Sequence, residues 1–416
     1  MEGSSIQKHR LRRVQEAFAS LPDRYLGGEE GRDAIVQIRL SDLGRTWEVE
    51  VRPDRCKVHT SPTRKPDVVI GTDAATWLAL REGRLSGLDA FQQRRLWARG
   101  DLDAAVSFEG MFRLPDDRPP LLRIHDVRVK GARISSLTAG HGDEHMILIH
   151  GLGGAKSSFN ETVAALTPEY TVHAIDLPGF GSSSKPLPAS YNADFFARHV
   201  LRFMDTLAID RAHLVGNSMG GRVSIEVGLQ APGRVRTLSL LAPSMAFRSG
   251  REWVPLIRLL RPELAALPHM LRPNQVRDRF WGLVSRPERL DPTVGDIAAD
   301  EFLRTYRSRA ARVAFYAAAR QIYLEAPDGP KGFWTRLGQL EPPALFIWGS
   351  DDPLVPARFS RHVATALPDA PQVVLSDCGH VPQIELPERT HGLIREFIAS
   401  AGESASALPV RLARSA

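Results

Sequence analysis

The chain has 416 residues, of which 43% are hydrophobic and 25% charged, and this length favours two or more soluble domains. The net charge is +6 and aromatic residues make up 7%; without basic–aromatic clusters, these values argue against a nucleic-acid-binding protein. No apolar run reaches the roughly 18 residues of a transmembrane helix, and the N-terminus lacks the apolar segment of a secretory signal. Two cysteines, Cys56 and Cys378, cannot form a disulfide framework, so we expect a cytoplasmic location.

A composition break at Leu114–Pro120 divides the chain. This segment contains three prolines and three charged residues, which disrupt both helices and central strands. We interpret residues 114–120 as a linker between a first domain, residues 1–113, and a second domain, residues 121–416. Both lengths are plausible for single domains.

The first domain has the pattern of an α+β module. Alternating apolar and polar residues predict strands, and segments with helical spacing flank them. The pattern predicts a helix over Val14–Leu21, strands over Ala34–Leu40, Thr46–Val51 and Pro66–Gly71, a helix over Asp73–Glu82, and a final helix that ends at Phe112. We expect an antiparallel sheet covered by helices, with Asp101 and Asp103 facing solvent or capping the last helix.

Several short motifs in this domain resemble the sterol carrier protein type-2 family. They are Asp67–Gly71, Trp77–Leu80, Gly83–Phe91 and Gly100–Leu102. The resemblance implies an apolar tunnel that holds a fatty acyl chain, a sterol or a similar lipid. The alternative is that the large apolar side chains form an ordinary core, because a small module needs one in any case. Those side chains are Trp77, Leu80, Phe91, Phe108 and Phe112.

The second domain alternates strand and helix signals, which predicts an α/β domain with a parallel sheet covered on both faces. An opening hairpin is predicted over Arg123–Val129 and Arg133–Thr138. Further strands are predicted over His145–Ile149, Thr171–Ile175, His213–Val215, Thr237–Leu241, Ala344–Trp348 and Gln372–Leu375. Helices are predicted over Asn160–Leu166, Phe195–Leu207, Gly221–Leu229 and Arg389–Ser400.

A candidate nucleophile, Ser218, follows one of these strands in the segment Gly216–Gly221. The segment matches G-x-S-x-G, the nucleophile elbow, in which a strained strand-to-helix turn lifts the serine hydroxyl above the sheet. Gly216 and Gly220 lack Cβ atoms and so permit close backbone approach. The helix that follows directs its N-terminal amides at the site.

A serine hydroxyl needs a base, and the base needs a carboxylate to hold its tautomer. His380 lies in a loop directly after the last predicted strand, and its neutral imidazole can accept the serine proton. The loop after the preceding strand offers two adjacent carboxylates, Asp351 and Asp352, of which one can serve. We expect Cys378 to be a packed thiol, because the serine already supplies the nucleophile.

A tetrahedral intermediate also needs an oxyanion hole. One donor is predicted to be the backbone N–H of Met219, directly after the serine. The second is predicted to be the backbone N–H of Leu152, in the loop His150–Gly154 that follows the strand over His145–Ile149. His150 itself is expected to hydrogen-bond within the loop.

The order Ser, Asp, His, each after a successive strand, resembles the α/β-hydrolase fold family over about Arg123–Ile398. The motifs that carry the resemblance are His150–Gly154, Asp176–Ser182, Gly216–Gly221, Gly349–Pro356 and Gly379–Pro387. In that family the acid loop has the form Gly-x-x-Asp with a proline shortly after, which implies Asp352 as the carboxylate and Asp351 as a residue with local turn hydrogen bonds. The interval of about 100 residues between two strands predicts a mostly helical cap at about residues 243–343.

A serine nucleophile favours acyl transfer. The elbow resembles that of carbon–carbon bond hydrolases that cleave ring-fission products, whereas His150–Gly154 resembles ordinary esterases, so we favour a carboxylic ester over a carbon–carbon bond or a thioester. Between Arg248 and Arg336 there are 16 basic and 10 acidic residues. This basic excess in the cap is consistent with acidic ligands, with peripheral contact to an anionic lipid surface, or with an ordinary solvated face.

A lipid-carrier-like domain joined to a serine hydrolase suggests an ester with a hydrophobic, lipid-like acyl group, cleaved through an acyl-enzyme. No cofactor and no metal is expected, and the partners are small molecules rather than nucleic acids. The alternative from another class is a non-enzymatic lipid-binding or transfer protein. The sequence does not predict the oligomeric state.

Overall fold

The structure is a computed structural model that describes residues 2–27, 33–115, 122–247, 252, 254–259, 261–266 and 271–403. The chain forms two compact units, Met1–His125 with Leu137–Gly140, and Asp126–Ser136 with His141–Ala416. Most of the predicted linker lies outside the described residues, since 116–121 are not among them. No helix in the described ranges combines the length and the apolar character that crossing a bilayer requires.

Among its described residues, the first unit contains a five-stranded sheet and four α-helices. Its elements are α1 (Glu2–Ala19), β1 (Ala34–Leu40), β2 (Arg45–Arg52), β3 (Arg55–His59), β4 (Val68–Thr72), α2 (Ala74–Arg81), α3 (Gly87–Gln92), β5 (Leu96–Gly100) and α4 (Leu102–Gly110). The strand order is β3-β2-β1-β4-β5. Asp73 and Asp101 cap α2 and α4 by accepting hydrogen bonds from Thr76 N (2.8 Å) and Ala104 N (3.1 Å), as short acidic side chains do at helix starts.

The prediction of a purely antiparallel sheet is wrong, because β1 and β4 are parallel. The other three strand pairs are antiparallel. Apolar–polar alternation identifies a strand and its buried face but carries no information about the neighbour with which the strand pairs. Hairpin turns join β1 to β2 and β2 to β3. The chain then crosses to the other side of β1, where β4 runs in the same direction as β1.

Aromatic side chains fill the interior of the first unit. Phe18 is stacked between Trp47 and Trp77, with ring centroids 4.6 Å and 4.5 Å apart. Phe108 and Phe112 are also buried. Of the five large side chains named above as core candidates, Phe91 alone is partly exposed. These residues therefore do pack as a core, and a lipid site in this unit remains a proposal.

The second sheet has eight strands in the order β13-β12-β11-β10-β8-β9-β7-β6. Its strands are β6 (Leu122–Val129), β7 (Ala132–Ala139), β8 (His145–Ile149), β9 (Thr171–Ile175), β10 (Ala212–Asn217), β11 (Val235–Leu241), β12 (Ala344–Gly349) and β13 (Gln372–Leu375). The pairs from β9 through to β13 are parallel. Residues Met146–Ile149 are fully buried, as expected of a central strand with both faces covered.

The helices of this part of the chain are α5 (Asn160–Leu166), α6 (Ala193–Thr206), α7 (Met219–Gln230), α8 (Val254–Leu259), α9 (Pro273–Trp281), α10 (Thr293–Tyr306), α11 (Arg309–Leu324), α12 (Phe333–Leu337), α13 (Ser360–Ala366), α14 (Pro382–Glu385) and α15 (Pro387–Glu403). Helices α8 to α12 all lie between β11 and β12 and form the predicted cap. Strand β8 lies between β9 and β10, so the chain reverses direction across the sheet at β8. Ligands of open parallel sheets bind beyond the carboxyl ends of strands at such a switch point.

One buried histidine gives the second unit a predictable response to acid. His391 on α15 contacts Thr162 on α5, with His391 Nε2 2.9 Å from the hydroxyl oxygen. Burial, with a smaller contribution from Arg395, lowers the pKa of His391 to about 4, whereas the unfolded chain has a value of about 6.5. The stability contributed by the neutral imidazole is therefore complete above about pH 6.5 and is lost as the pH falls towards 4.

We expect His391→Gln to reduce this acid sensitivity. Between pH 7 and pH 5, the wild-type free energy of unfolding should fall by roughly 2 kcal/mol more than that of the variant, which is the part of the proton-linkage difference that falls between these two pH values. Urea unfolding at the two pH values measures this difference, and the other histidines are common to both proteins. An equal loss in both proteins would contradict the assignment.

Candidate active site

Ser218 occupies the single residue between the end of β10 and the start of α7. Its φ is +54° and its ψ is −117°, a conformation that side-chain-bearing residues rarely adopt and that marks a strained functional turn. Glycine is required around it. A Cβ atom on Gly216 would lie 2.4 Å from the carbonyl oxygen of Gly220, and one on Gly220 would lie 1.9 Å from that of Ile149. The half-buried serine therefore projects from a sharp strand-to-helix turn.

His380 and Asp352 are brought together from two loops at the same edge of the sheet. His380 Nδ1 lies 2.8 Å from Asp352 Oδ2, and both side chains are buried. The other carboxylate oxygen, Oδ1, accepts hydrogen bonds from the backbone N–H groups of Leu354 (2.8 Å) and Val355 (2.9 Å). With Nδ1 as the donor to Asp352, Nε2 of His380 is left as a proton acceptor.

The neighbouring residues Asp351 and Cys378 have different surroundings. Asp351 is exposed, and its carboxylate accepts hydrogen bonds from Ser285 Oγ (2.5 Å) and Ser350 Oγ (3.1 Å). Cys378 is fully buried. Burial raises the pKa of its thiol well above the usual value, and the charges of Glu385, Asp352 and Asp351 add to the effect. A buried thiol without thiolate character is a poor nucleophile.

The loop after β8 lies directly beside the nucleophile. A Cβ atom on Gly151 would be 3.2 Å from Ser218 Cβ. The N–H groups of Leu152 and Met219, the two predicted oxyanion donors, donate to no other main-chain group among the described residues. The assignment of these two N–H groups to an oxyanion hole stays a prediction.

His150 shapes this loop rather than acting on a ligand. Its Nε2 accepts a hydrogen bond from Leu177 N (3.0 Å), so Nδ1 carries the proton and donates to Gly151 O (2.8 Å). Burial lowers the pKa of His150. The neutral ring therefore connects the loop after β8 to the loop after β9 through these two hydrogen bonds.

Two further side chains support the site without an obvious sequence signal. Asn217 Nδ2 donates to Leu241 O (3.1 Å) and to His380 O (3.0 Å), which ties the serine turn to the histidine loop. Glu385 accepts hydrogen bonds from backbone groups on both sides of His380. Both residues lie in the motifs quoted above. Their partners are main-chain atoms, which almost every residue type carries, so the sequence does not reveal these contacts.

Cap residues cover the loop His150–Gly154, which carries the predicted donor Leu152 and is called the oxyanion loop below. A Cβ atom on Gly153 would lie 3.1 Å from ring atoms of both Phe302 on α10 and Phe315 on α11. These rings contact each other edge to face, with centroids 5.7 Å apart. Near the same loop, Ser157 Oγ donates to Glu301 of α10. The cap thus places an aromatic wall next to the predicted donors.

No cluster of three or more histidine, cysteine, aspartate or glutamate side chains in the described ranges is arranged to hold a metal ion.

Comparison with known proteins identifies relatives of each part of the chain. Residues 144–387 match the alpha/beta hydrolase fold family, and residues 29–113 match the SCP-2 sterol transfer family. The chain is 31% identical to the dihydrolipoyllysine-residue acetyltransferase component of the acetoin cleaving system of Cupriavidus necator, over 65% of this chain and 67% of that protein. It is 30% identical to the 2-hydroxy-6-oxononadienedioate/2-hydroxy-6-oxononatrienedioate hydrolase of Burkholderia vietnamiensis, over 64% of this chain and 91% of that protein.

Among solved structures, the fold is similar to that of a bacterial membrane phospholipase A. The TM-score is 0.58 at 24% identity, and the match covers 80% of this chain and 96% of the phospholipase. The predicted fold class and both resemblances are thereby confirmed. The chain belongs to the alpha/beta hydrolase fold family and carries an SCP-2 sterol transfer domain ahead of the hydrolase domain.

Proposed function

We propose that this hydrolase cleaves a carboxylic ester with a hydrophobic, lipid-like acyl group through an acyl-enzyme on Ser218. The observation that carries the proposal is the pairing of His380 Nδ1 with Asp352 Oδ2 at 2.8 Å, at the sheet edge where Ser218 stands in a strained turn. The combination of nucleophile, base and orienting carboxylate is what acyl transfer needs.

The first half-reaction forms the acyl-enzyme. His380 Nε2 takes the proton of the Ser218 hydroxyl as its oxygen attacks the ester carbonyl, and Asp352 stabilises the imidazolium that results. The tetrahedral intermediate collapses when His380 returns the proton to the leaving alcohol. Water then attacks the acyl-enzyme with His380 again acting as the base, and the acid is released.

The N–H groups of Leu152 and Met219 stabilise the negative charge that develops on the carbonyl oxygen. They are fixed before the substrate arrives, because the tight glycine contacts around Ser218 and the neutral His150 hold both loops. Donors that need no reorganisation during the reaction are the most effective in catalysis.

Two observations favour a hydrophobic acyl group. Phe302 and Phe315 present an aromatic wall beside the oxyanion loop, where an acyl chain attached to Ser218 would begin. The SCP-2 sterol transfer match of residues 29–113 supports a lipid ligand for the whole protein, and we propose that the first unit captures or presents a long-chain acyl compound.

A panel of esters graded by acyl length tests this proposal. We expect kcat/KM to rise by about fourfold for each added methylene that the pocket buries, since each contributes about 0.8 kcal/mol. Phe302→Ala should flatten this dependence. The control is Phe280→Ala, because Phe280 lies in the cap but packs against Trp281. A flat profile for the wild-type protein would rule out the lipid-like acyl group and leave the hydrolase proposal standing.

Carbon–carbon bond hydrolysis is the second candidate, and it is favoured by the relationship to the 2-hydroxy-6-oxononadienedioate hydrolase. A 2-hydroxy-6-oxo-dienoate substrate would carry negative charge into the site, whereas a lipid ester would not. Direct comparison of kcat/KM for such a dienoate and for a decanoate ester decides between them. A higher value for the dienoate would replace the ester proposal.

A further inference from the structure

The loop that carries His380 lies against a turn of the cap. The backbone N–H of His380 donates to the carbonyl oxygen of Leu283 at 2.8 Å. Gly379 approaches the same carbonyl so closely that a Cβ atom would lie 2.1 Å from the oxygen. Leu283 follows α9, so this turn is part of the cap and not of the sheet domain.

A single carboxylate joins this turn to both neighbours of His380. Glu385 Oε2 accepts hydrogen bonds from Ser285 N (2.7 Å) in the cap and from Gly379 N (2.8 Å). Its other oxygen, Oε1, accepts from Val381 N (3.2 Å). Hydrogen bonds to an ionised acceptor are stronger than those between neutral groups. Glu385 therefore holds the main chain on each side of His380 and the cap turn at the same time.

These contacts complete the support of the imidazole. Asp352 holds Nδ1 of the ring, but this contact does not fix the main chain that carries the side chain. The bonds to Gly379, His380 and Val381 fix the backbone from which the side chain leaves. Catalytic geometry is sensitive to such support, because a displacement of about 1 Å can cost a factor of about 100 in rate.

We propose that Glu385 is a positioning residue for His380 and that it makes the cap turn at residues 282–285 part of the support of the catalytic base. The inference rests on the proposed function, since it takes His380 to be the base. The cap then has two tasks: its aromatic wall contacts the acyl group, and its turn holds the base in line with Ser218.

The substitution Glu385→Gln tests the proposal in the full chain. Glutamine keeps the size of the side chain but replaces one acceptor oxygen by an NH₂ group, so at least one of the three backbone donors loses its partner. We expect kcat for a short-chain ester, and the rate of Ser218 labelling by a fluorophosphonate, to fall by about 10- to 100-fold. KM should change by less than about twofold, because neither substrate contact nor the aromatic wall is altered.

The matched control is Glu388→Gln. It makes the same chemical change on an exposed glutamate in the first turn of α15, outside the candidate site, so kcat should equal that of the wild-type protein. If Glu385→Gln fails to fold, Glu385→Asp replaces it, because aspartate retains both oxygens at a shifted position and should lower kcat by a smaller factor. A kcat within about twofold of wild type in the folded variant would overturn the proposal.

Amide hydrogen exchange gives a second readout that does not depend on catalysis. Glu385→Gln should accelerate exchange in residues 282–285 and 377–381 together, and Glu388→Gln should not. If the wild-type protein is not labelled at Ser218, the proposed function fails, and joint acceleration would still establish the coupling between the two segments. Unchanged exchange in either segment would overturn that coupling.

Discussion

Ser218→Ala is expected to abolish covalent labelling by a fluorophosphonate and to lower kcat for ester hydrolysis by about 10⁶-fold, the scale of loss when a cooperating serine–histidine pair loses its nucleophile. The physical reason is local. Ser218 is the single residue of the turn between β10 and α7, and in the proposed mechanism its hydroxyl oxygen is the atom that attacks the ester. Removal of one oxygen atom leaves the fold intact, because the strained backbone of the turn is held by glycine contacts.

Ser224→Ala is the matched control for this experiment. Ser224 is a buried serine on the same helix, α7, and its hydroxyl donates to the carbonyl oxygen of Gly220 at 2.9 Å. A serine that bonds back to its own helix has no nucleophilic role, so labelling should persist in this variant. Labelling that survives in Ser218→Ala would locate the nucleophile elsewhere. Absence of labelling in the folded wild-type protein would favour the lipid-binding alternative.

The succession of strands along the second domain and the positions of Ser218, Asp352 and His380 after strands could be predicted because both depend on local patterns, whereas the catalytic roles of these residues stay a prediction. The predicted bounds of β1, β8, β9 and β13 coincide with those in the structure, since short apolar runs end where turn residues begin. Ser218, Asp352 and His380 each follow a strand, and parallel strands bring their carboxyl ends to one edge. Recognition of the family pattern was still needed to prefer Asp352 over Asp351.

Other features depend on contacts between distant segments and could not be predicted. Strand β3 was missed, and the parallel pairing of β1 with β4 was predicted wrongly, because neither is specified by residues next to each other in the chain. The bonds of Asn217 and Glu385 to the histidine loop join main-chain atoms to side chains. Leu283 contributes its carbonyl oxygen, which every residue type carries, so no sequence pattern identifies it.

An ionic cluster connects α7, the helix that follows Ser218, with the end of the cap. Arg222 on α7 donates through Nη2 to Glu226 Oε2 (2.8 Å) and to Glu325 Oε1 (2.5 Å), and through Nε to both Glu325 oxygens (3.0 Å each). Glu325 is the first residue after α11. The guanidinium also lies over the ring of Phe333, 4.9 Å from its centroid, at the start of α12. Arg222 thus binds the last part of the cap, before the chain returns to the sheet at β12.

Arg222→Met is expected to destabilise the second unit by about 3 kcal/mol, because the buried carboxylate of Glu226 and the partly exposed carboxylate of Glu325 both lose the charge and the hydrogen bonds of Arg222. The value lies at the lower end of the usual range for such losses, since Glu226 keeps its bonds from Arg336 and Gln230. Urea unfolding of the full chain measures the loss. The double variant Arg222→Met/Glu325→Gln should lose less than the sum of the single variants, because both substitutions remove the same interaction between Arg222 and Glu325. A loss below about 1 kcal/mol in Arg222→Met would contradict a structural role for the cluster.

The pH dependence of this loss distinguishes a charge effect from a packing effect. Burial alone would raise the pKa of Glu226, but the bonds from Arg336 and the charge of Arg222 lower it to about 2, against about 4.3 in an unfolded chain. A carboxyl group with a lowered pKa stabilises the fold above its unfolded value, and this stability is lost as the pH falls through the folded value. The difference between wild type and Arg222→Met should therefore be constant above about pH 5 and shrink as the pH falls towards 2. A cavity left by lost packing would give a difference that does not change with pH, so the two explanations separate in one titration.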